Sequence, residues 1–238
     1  MFQFLSKLYF LQNILSLLVS LISPVLVHNL GKYFALKKAF YLTALEDLQG
    51  DYLEFGVFTG SSFVCALNCS KRSGIKHAHR QMRFFGFDSF EGFGELPEFD
   101  QHPFYKDLNF ETSYQSVSKR LLKAAGNRRG DIVLTKGFFN ETLCQGPQQY
   151  GIDKASVILI DNDTYSAALD CLVFCTEIVQ EGTILIADDS FAYRGSPIKG
   201  VHGAIATWLE HNPYIKLRKV SDYGMGGEMF VVSQCSMS

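Results

Sequence analysis

Residues 51–62 read DYLEFGVFTGSS. The first half is a short apolar run of strand length, and the second is a glycine-bearing turn that opens a helix. Gly56 and Gly60 fall where the backbone has to approach something closely. Six more runs of strand length follow: RFFGFDS (83–89), DIVLTKG (131–137), SVILIDND (156–163), GTILIADDS (182–190), IKLRKVSD (215–222) and EMFVVSQ (228–234). The segments between the first five are long enough for crossover helices, which predicts a parallel sheet with helices on both faces. The last two runs are joined by the glycine-rich YGMGGE and read as a hairpin, an antiparallel edge. The expected fold class is therefore α/β, a mostly parallel seven-stranded sheet.

Length agrees with a single unit. A chain of 238 residues divided in two would leave each half marginal in buried area, so residues 31–238 read as one domain and residues 1–30 as an appendage. Hydrophobic residues make up 47% of the chain, with 21 Phe among them, which is ample for a packed interior and excludes a disordered chain. A formal charge of -2, from 22 basic and 24 acidic residues, provides no overall field for nucleic acid. The six cysteines include two i, i+4 pairs, Cys65/Cys69 and Cys171/Cys175, both in apolar helical stretches. There a free Cys acts as a small hydrophobe, and the topology puts the two helices on opposite faces of the sheet. Reduced thiols and a cytoplasmic location follow as expectations.

Residues 1–27 carry one charge, Lys7. Ser6, Tyr9, Asn13, Ser16, Ser20 and Ser23 recur every three or four residues, so the segment is an amphipathic helix with a polar stripe. Pro24 ends or kinks it, leaving too short a run for the ~20 apolar residues that span a bilayer. Packing on the domain or on a second subunit of a homo-oligomer, peripheral membrane contact, and a true anchor or signal segment are the readings that remain.

The turn at 54–62 has the geometry of a nucleotide site, yet it lacks G-x-G-x-x-G and any P-loop lysine, so pyrophosphate is not encoded. An acid at its start, Glu54, suits a cationic sulfonium amino acid better than a phosphate. The second run ends in Asp88, where a carboxylate can accept both hydroxyls of a ribose. Neighbouring parallel strand ends lie side by side, so Gly56 and Asp88 are expected to share one crevice.

The fourth and fifth runs end in Asp161-Asn162-Asp163 and Asp188-Asp189. Adjacent carboxylates at strand ends repel and are costly to bury, and oxygen-only ligands select a hard cation, Mg²⁺ foremost, with Mn²⁺ or Ca²⁺ as alternatives. Helix capping competes as an explanation for Asp163, Asp189 and Ser190. The order Asp161-Asn162-Asp163-Thr164 is not a phosphatase nucleophile loop, because position 165 is Tyr and the motif follows the fourth strand.

Together the motifs resemble the macrocin O-methyltransferase family. YLEFGVFTGSS is similar to its E-F-G-V-x-x-G-x-S loop, and FFGFDSFEGFGELPE to its F-G-F-D-S-F-E-G-L-P-E signature. Gly137-Phe138 through Glu141-Thr142-Leu143 resembles G-x-F-x-D-T-L, while LIDNDTY and LIADDS resemble D-x-D-x-Y and I-x-D-D-Y. Thr164 and Ser190 differ from the family pattern. The resemblance implies a Rossmann-like class I methyltransferase fold, S-adenosylmethionine as donor and a sugar hydroxyl as the small-molecule acceptor. It implies cofactor contacts at Glu54, Phe55, Gly56, Thr59, Gly60, Ser61, Asp88, Ser89, Gly137 and Phe138. It also implies Mg²⁺ or Mn²⁺ on Asp161, Asp188 and Asp189, with Asp161 as general base.

Rival expectations are a phenolic acceptor, a dinucleotide-dependent oxidoreductase, and a membrane-associated interaction protein without activity. The basic stretch 71–83, with His77 and His79, reads as a solvated connection or a contact for an anionic acceptor. Trp208 is expected to pack, His202 is open to the acceptor, and residues 97–110 read as a mobile lid.

Overall fold

The computed structural model describes residues 8–75, 78–105 and 110–235, so Ser6, Lys7 and His77 lie outside the described residues. Two helices, α1 (Tyr9–Ser20) and α2 (Pro24–Leu45), precede the sheet. Then come β1 (Asp51–Phe55), α3 (Ser61–Lys71), β2 (Phe84–Asp88), α4 (Tyr114–Ala125), β3 (Ile132–Lys136) and β4 (Ala155–Ile160). The chain continues through α5 (Tyr165–Cys175), β5 (Ile184–Ala187), α6 (Gly200–His211), β6 (Lys216–Tyr223) and β7 (Gly227–Gln234).

The seven strands form one sheet in the order β3-β2-β1-β4-β5-β7-β6. β1 to β5 are parallel, and β7 runs antiparallel between β5 and β6. All residues of β1, β4 and β5 are buried, as strands covered on both faces require. Leu53, Phe55, Ile158 and Ile160 point into the layer under α5 and α6, around the fully buried Trp208. Tyr52, Val57, Val157 and Leu159 point the other way, under α2, α3 and α4. Cys65/Cys69 and Cys171/Cys175 therefore do lie on opposite faces, and all are free thiols.

Register decides where the ligand residues emerge. Phe55 is level with Phe87 on β2 and Ile160 on β4, and Ile160 is level with Ala187 on β5. The next residue of each strand is Gly56, Asp88, Asp161 or Asp188, so these four leave the sheet in a row. Because β1 has β2 on one side and β4 on the other, the row straddles the point where the crossovers change direction, the crevice of such sheets.

Pro24 stands at the first turn of α2, and α1 and α2 meet at 80°. α2 runs through the expected boundary at residue 30, the bend between the two helices lies in residues 21–23, and the first buried residue of α2 is Lys32. No residue of α1 is buried, and its apolar side chains project outward. No single described helix is long and apolar enough to cross a membrane.

Candidate active site

The turn after β1 is held by Asp88. Its Oδ2 accepts the Val57 and Phe58 amides, each at 2.7 Å, and its Oδ1 accepts the Phe90 amide at 2.6 Å. Gly56 donates its amide to the Phe87 carbonyl at 2.9 Å. On its other side a Cβ would stand 1.8 Å from the Asp161 carbonyl oxygen, and φ is +96°, so only glycine fits. Gly60, at φ 78°, caps α3, where a Cβ would lie 2.9 Å from Leu121. The Thr59 carbonyl accepts Arg120 and the Phe58 carbonyl accepts Thr112, which ties the loop to α4.

An open cleft beside this loop is lined by Phe90, Glu91, Gly94, Glu111, Thr112, Ser113 and Phe138. Gly137 donates its amide to the Asp88 carbonyl at 3.0 Å, and Ser89 Oγ closes a turn onto the Gly92 carbonyl. Gly56, Thr59, Gly60, Ser61, Asp88, Ser89, Gly137 and Phe138 thus gather at one end of the sheet.

Glu54 and Phe55 sit differently from the expected cofactor contacts. Glu54 is fully buried, with one oxygen accepting Tyr52 Oη and the other Ser62 Oγ at 2.6 Å. Burial pushes its carboxyl up to about 7, although both hydroxyl bonds and the Lys32 charge pull the other way. It braces the start of α3 from below. The Phe55 ring stacks on Phe87 at 5.2 Å within the core, so only its backbone faces the loop, its carbonyl accepting the Asp161 amide. Which face of a strand each side chain takes was the information missing from the motif.

The acid cluster is organised by residues from distant parts of the chain. Lys32, buried on α2, places its ammonium 2.6 Å from Asp161 Oδ2 and 2.5 Å from Asp188 Oδ2. One turn earlier, His28 Nε2 lies 3.0 Å from the Asp188 carboxylate. The Met225 amide donates to His28 Nδ1 at 3.1 Å, which leaves Nε2 as the protonated nitrogen. Tyr223 Oη donates to Asp188 Oδ1 at 2.7 Å. Burial opposes the charge on Asp188, but Lys32 and the His28 bond outweigh it and hold the carboxyl far below the usual range. Burial likewise opposes the Lys32 charge, and the two carboxylates overcome it, keeping the ammonium protonated. Asp161 goes the other way, raised well above the usual range by burial.

Asp163 is raised too, by burial first and then by Asp189 beside it. Both have left-handed backbones, φ 65° and 48°. The structure does not use Asp163 as the cap of α5. That role falls to Asp100, whose buried carboxylate accepts the Tyr165 and Ser166 amides at 2.9 and 3.2 Å. Tyr193 Oη donates to the Asp100 carbonyl, and Tyr105 Oη reaches Asp163 at 3.5 Å. Asp100 and Tyr105 of the expected lid are thereby tied to the acid side; residues 106–109 lie outside the described residues.

The expected divalent ion does not fit between Asp161 and Asp188 as they stand. The Lys32 ammonium fills that place, and both Asp188 oxygens are already taken by Lys32, Tyr223 and His28. Among the described residues, one set of candidate ligand atoms lies within 4.8 Å of one another, on His28, Asp188 and Asp189, and it omits Asp161. Mg²⁺ demands near-ideal octahedral oxygen donors, which a histidine-bonded, lysine-paired carboxylate does not offer.

Sequence reasoning missed His28, Lys32, Tyr223 and Asp100. The one local signal was the i, i+4 spacing of His28 and Lys32, which puts both on one helical face. Of the remaining candidates, Trp208 is packed and donates Nε1–H to Thr176 at 2.9 Å, while His202 pairs with Glu228 at 3.3 Å. His79 corrects the solvated-connection expectation: it is buried against Phe40 and bonded to Thr43, and burial lowers its pKa to about 4.

Comparison with known proteins gives a consistent picture. A family model described as macrocin-O-methyltransferase (TylF) matches residues 32–206. A mycinamicin III 3''-O-methyltransferase from Micromonospora griseorubida is 26% identical over 156 residues, which is 62% of this chain and 58% of that protein. The chain thus aligns with less than two thirds of that relative's length. Among solved structures, the O-methyltransferase NovP shares the fold at TM-score 0.67 and 17% identity, covering 86% of this chain and 80% of its own. Calicheamicin methyltransferase CalS11 does so at TM-score 0.64 and 19% identity, covering 86% and 79%.

Proposed function

Because the chain belongs to the macrocin O-methyltransferase family, we propose that it transfers a methyl group from S-adenosylmethionine to a hydroxyl of a sugar or glycosylated small molecule. The observation that carries this is the level row Gly56, Asp88, Asp161 and Asp188, which puts a nucleoside-binding turn beside a carboxylate cluster at one sheet edge. The bound donor supplies a methyl on positively charged sulfur, already activated for displacement.

The chain's residues do the rest. The Gly56 turn and Asp88 orient the nucleoside, with Asp88 Oδ1 offering a lone pair to a ribose hydroxyl. Phe90 and Phe138 flank the cleft for its base. Asp161, raised by burial, is suited to take the proton of an acceptor hydroxyl. Tyr105 and Asp100 hold the acid side through Asp163 and the start of α5, and positioning oxygen, carbon and sulfur in line supplies much of the rate. No step passes through a metal.

Two measurements test the proposal. Titration with S-adenosylmethionine and NAD separates methyl transfer from the oxidoreductase reading. A labelled-methyl screen against sugars and phenols then decides the acceptor class, and absence of any transfer despite donor binding favours the non-catalytic alternative. For α1 we propose contact with a second copy of the chain, since among the described residues its apolar side chains stand exposed.

A further inference from the structure

We propose that Lys32 is the resident cation of the acid cluster, standing in the place between Asp161 and Asp188 that a divalent ion was expected to take. Its position is set by the fold rather than by a wandering surface chain. α2 is pinned on both sides of Lys32: a Cβ on Gly31 would lie 2.4 Å from the Gly224 amide nitrogen, and Ala35, Leu36, Ala39 and Phe40 are all buried in the core. His28, one turn earlier on the same face, holds the same Asp188 and is itself held by the Met225 amide. The ammonium therefore enters the cluster on a fixed stem.

The geometry is also saturating. Lys32 reaches Asp161 at 2.6 Å and Asp188 at 2.5 Å, with Tyr223 and His28 on the remaining faces of Asp188. A hard dication would need those same oxygens at ~2.0–2.1 Å and would stand against a like charge. Removing Lys32 takes away the one ammonium between Asp161 and Asp188 and leaves Asp188 with Tyr223 and His28 alone, a costly state that recruits another cation.

The consequence for turnover rests on the proposed methyl transfer; the occupancy itself does not. As the bond from methyl to sulfur breaks and the bond from methyl to acceptor oxygen forms, the sulfonium becomes a neutral thioether. The hydroxyl proton passes to Asp161. Lys32 stays protonated and acts as a positioning residue, holding the Asp161 carboxylate and balancing its charge.

The test is a Mn²⁺ titration of the full chain, followed by electron paramagnetic resonance, on wild type and Lys32→Ala without acceptor. Wild type is expected to show no saturable site, and Lys32→Ala to gain one, at least about tenfold tighter than the residual non-saturable uptake of wild type. S-adenosylmethionine titration of the same samples reports whether the site remains folded. Should Lys32→Ala not fold, Lys32→Met keeps the aliphatic stem and carries the same expectation. One equivalent of Mn²⁺ taken up saturably by wild type overturns the proposal, as does a folded neutral variant that gains nothing. Wild-type turnover is expected to be unchanged in EDTA, and a loss also overturns it. A chain that binds no S-adenosylmethionine but gives the expected Mn²⁺ result defeats the methyl-transfer proposal and leaves Lys32 in its place.

Discussion

Gly56 and Asp161 touch backbone to backbone: a Cβ on the first would overlap the carbonyl oxygen of the second at 1.8 Å. That contact joins the Gly56 turn to the acid cluster, so each fixes the position of the other. Gly56→Ala must either push β1 from β4 or unwind a turn already at φ +96°. The expected result is a loss of about 2–4 kcal/mol in urea unfolding together with at least tenfold weaker S-adenosylmethionine binding. A variant with wild-type stability and affinity shows that the contact is relaxed in solution.

Asp161→Asn keeps the shape and removes the proposed proton acceptor. Turnover is expected to fall by about 10²–10⁴-fold while donor affinity changes little. The measurement is kcat beside a calorimetric Kd on the same preparation. Equal losses in both assign Asp161 to donor binding instead.

Glu54 gives a pH signature. Its folded carboxyl, pushed to about 7 from an ordinary 4.5, favours the protonated form. Its contribution to stability is present at low pH and is lost as pH rises through the folded value. Between about pH 4.5 and 8 the loss amounts to up to about 3 kcal/mol. Glu54→Gln mimics the neutral acid, so its stability relative to wild type should rise from pH 5 to pH 8. Parallel pH profiles for the two proteins contradict the burial argument.

Deleting residues 1–22 removes α1 and leaves Pro24, the start of α2, in place. The truncated chain is expected to elute at a smaller oligomeric state than the full chain in sizing with light scattering. If the state is unchanged and the full chain alone floats with liposomes, the cover for α1 is lipid.

The strand tips were legible because apolar runs ending in Gly56, Asp88, Asp161 and Asp188 need only the rule that parallel neighbours stay level. The role of Glu54 was not, since a motif names an acid without saying which side of the pleat it takes. The place of the Phe55 ring was hidden for the same reason, since it lies in the core against Phe87. Lys32 escaped because its partner Asp161 is 129 residues away, and no local period encodes such a pairing. A basic residue on an amphipathic helix ordinarily faces water, and only the packed position of α2 turns it inward. Asp100 escaped likewise, capping α5 from 65 residues upstream.

The most direct test of the shared crevice is calorimetric titration of wild type and Asp88→Ala with S-adenosylmethionine, with NAD as the control ligand. The expected result is one saturable donor site in wild type, weakened at least tenfold in Asp88→Ala, and no uptake of NAD. Preferential binding of NAD, or donor affinity indifferent to Asp88, contradicts it.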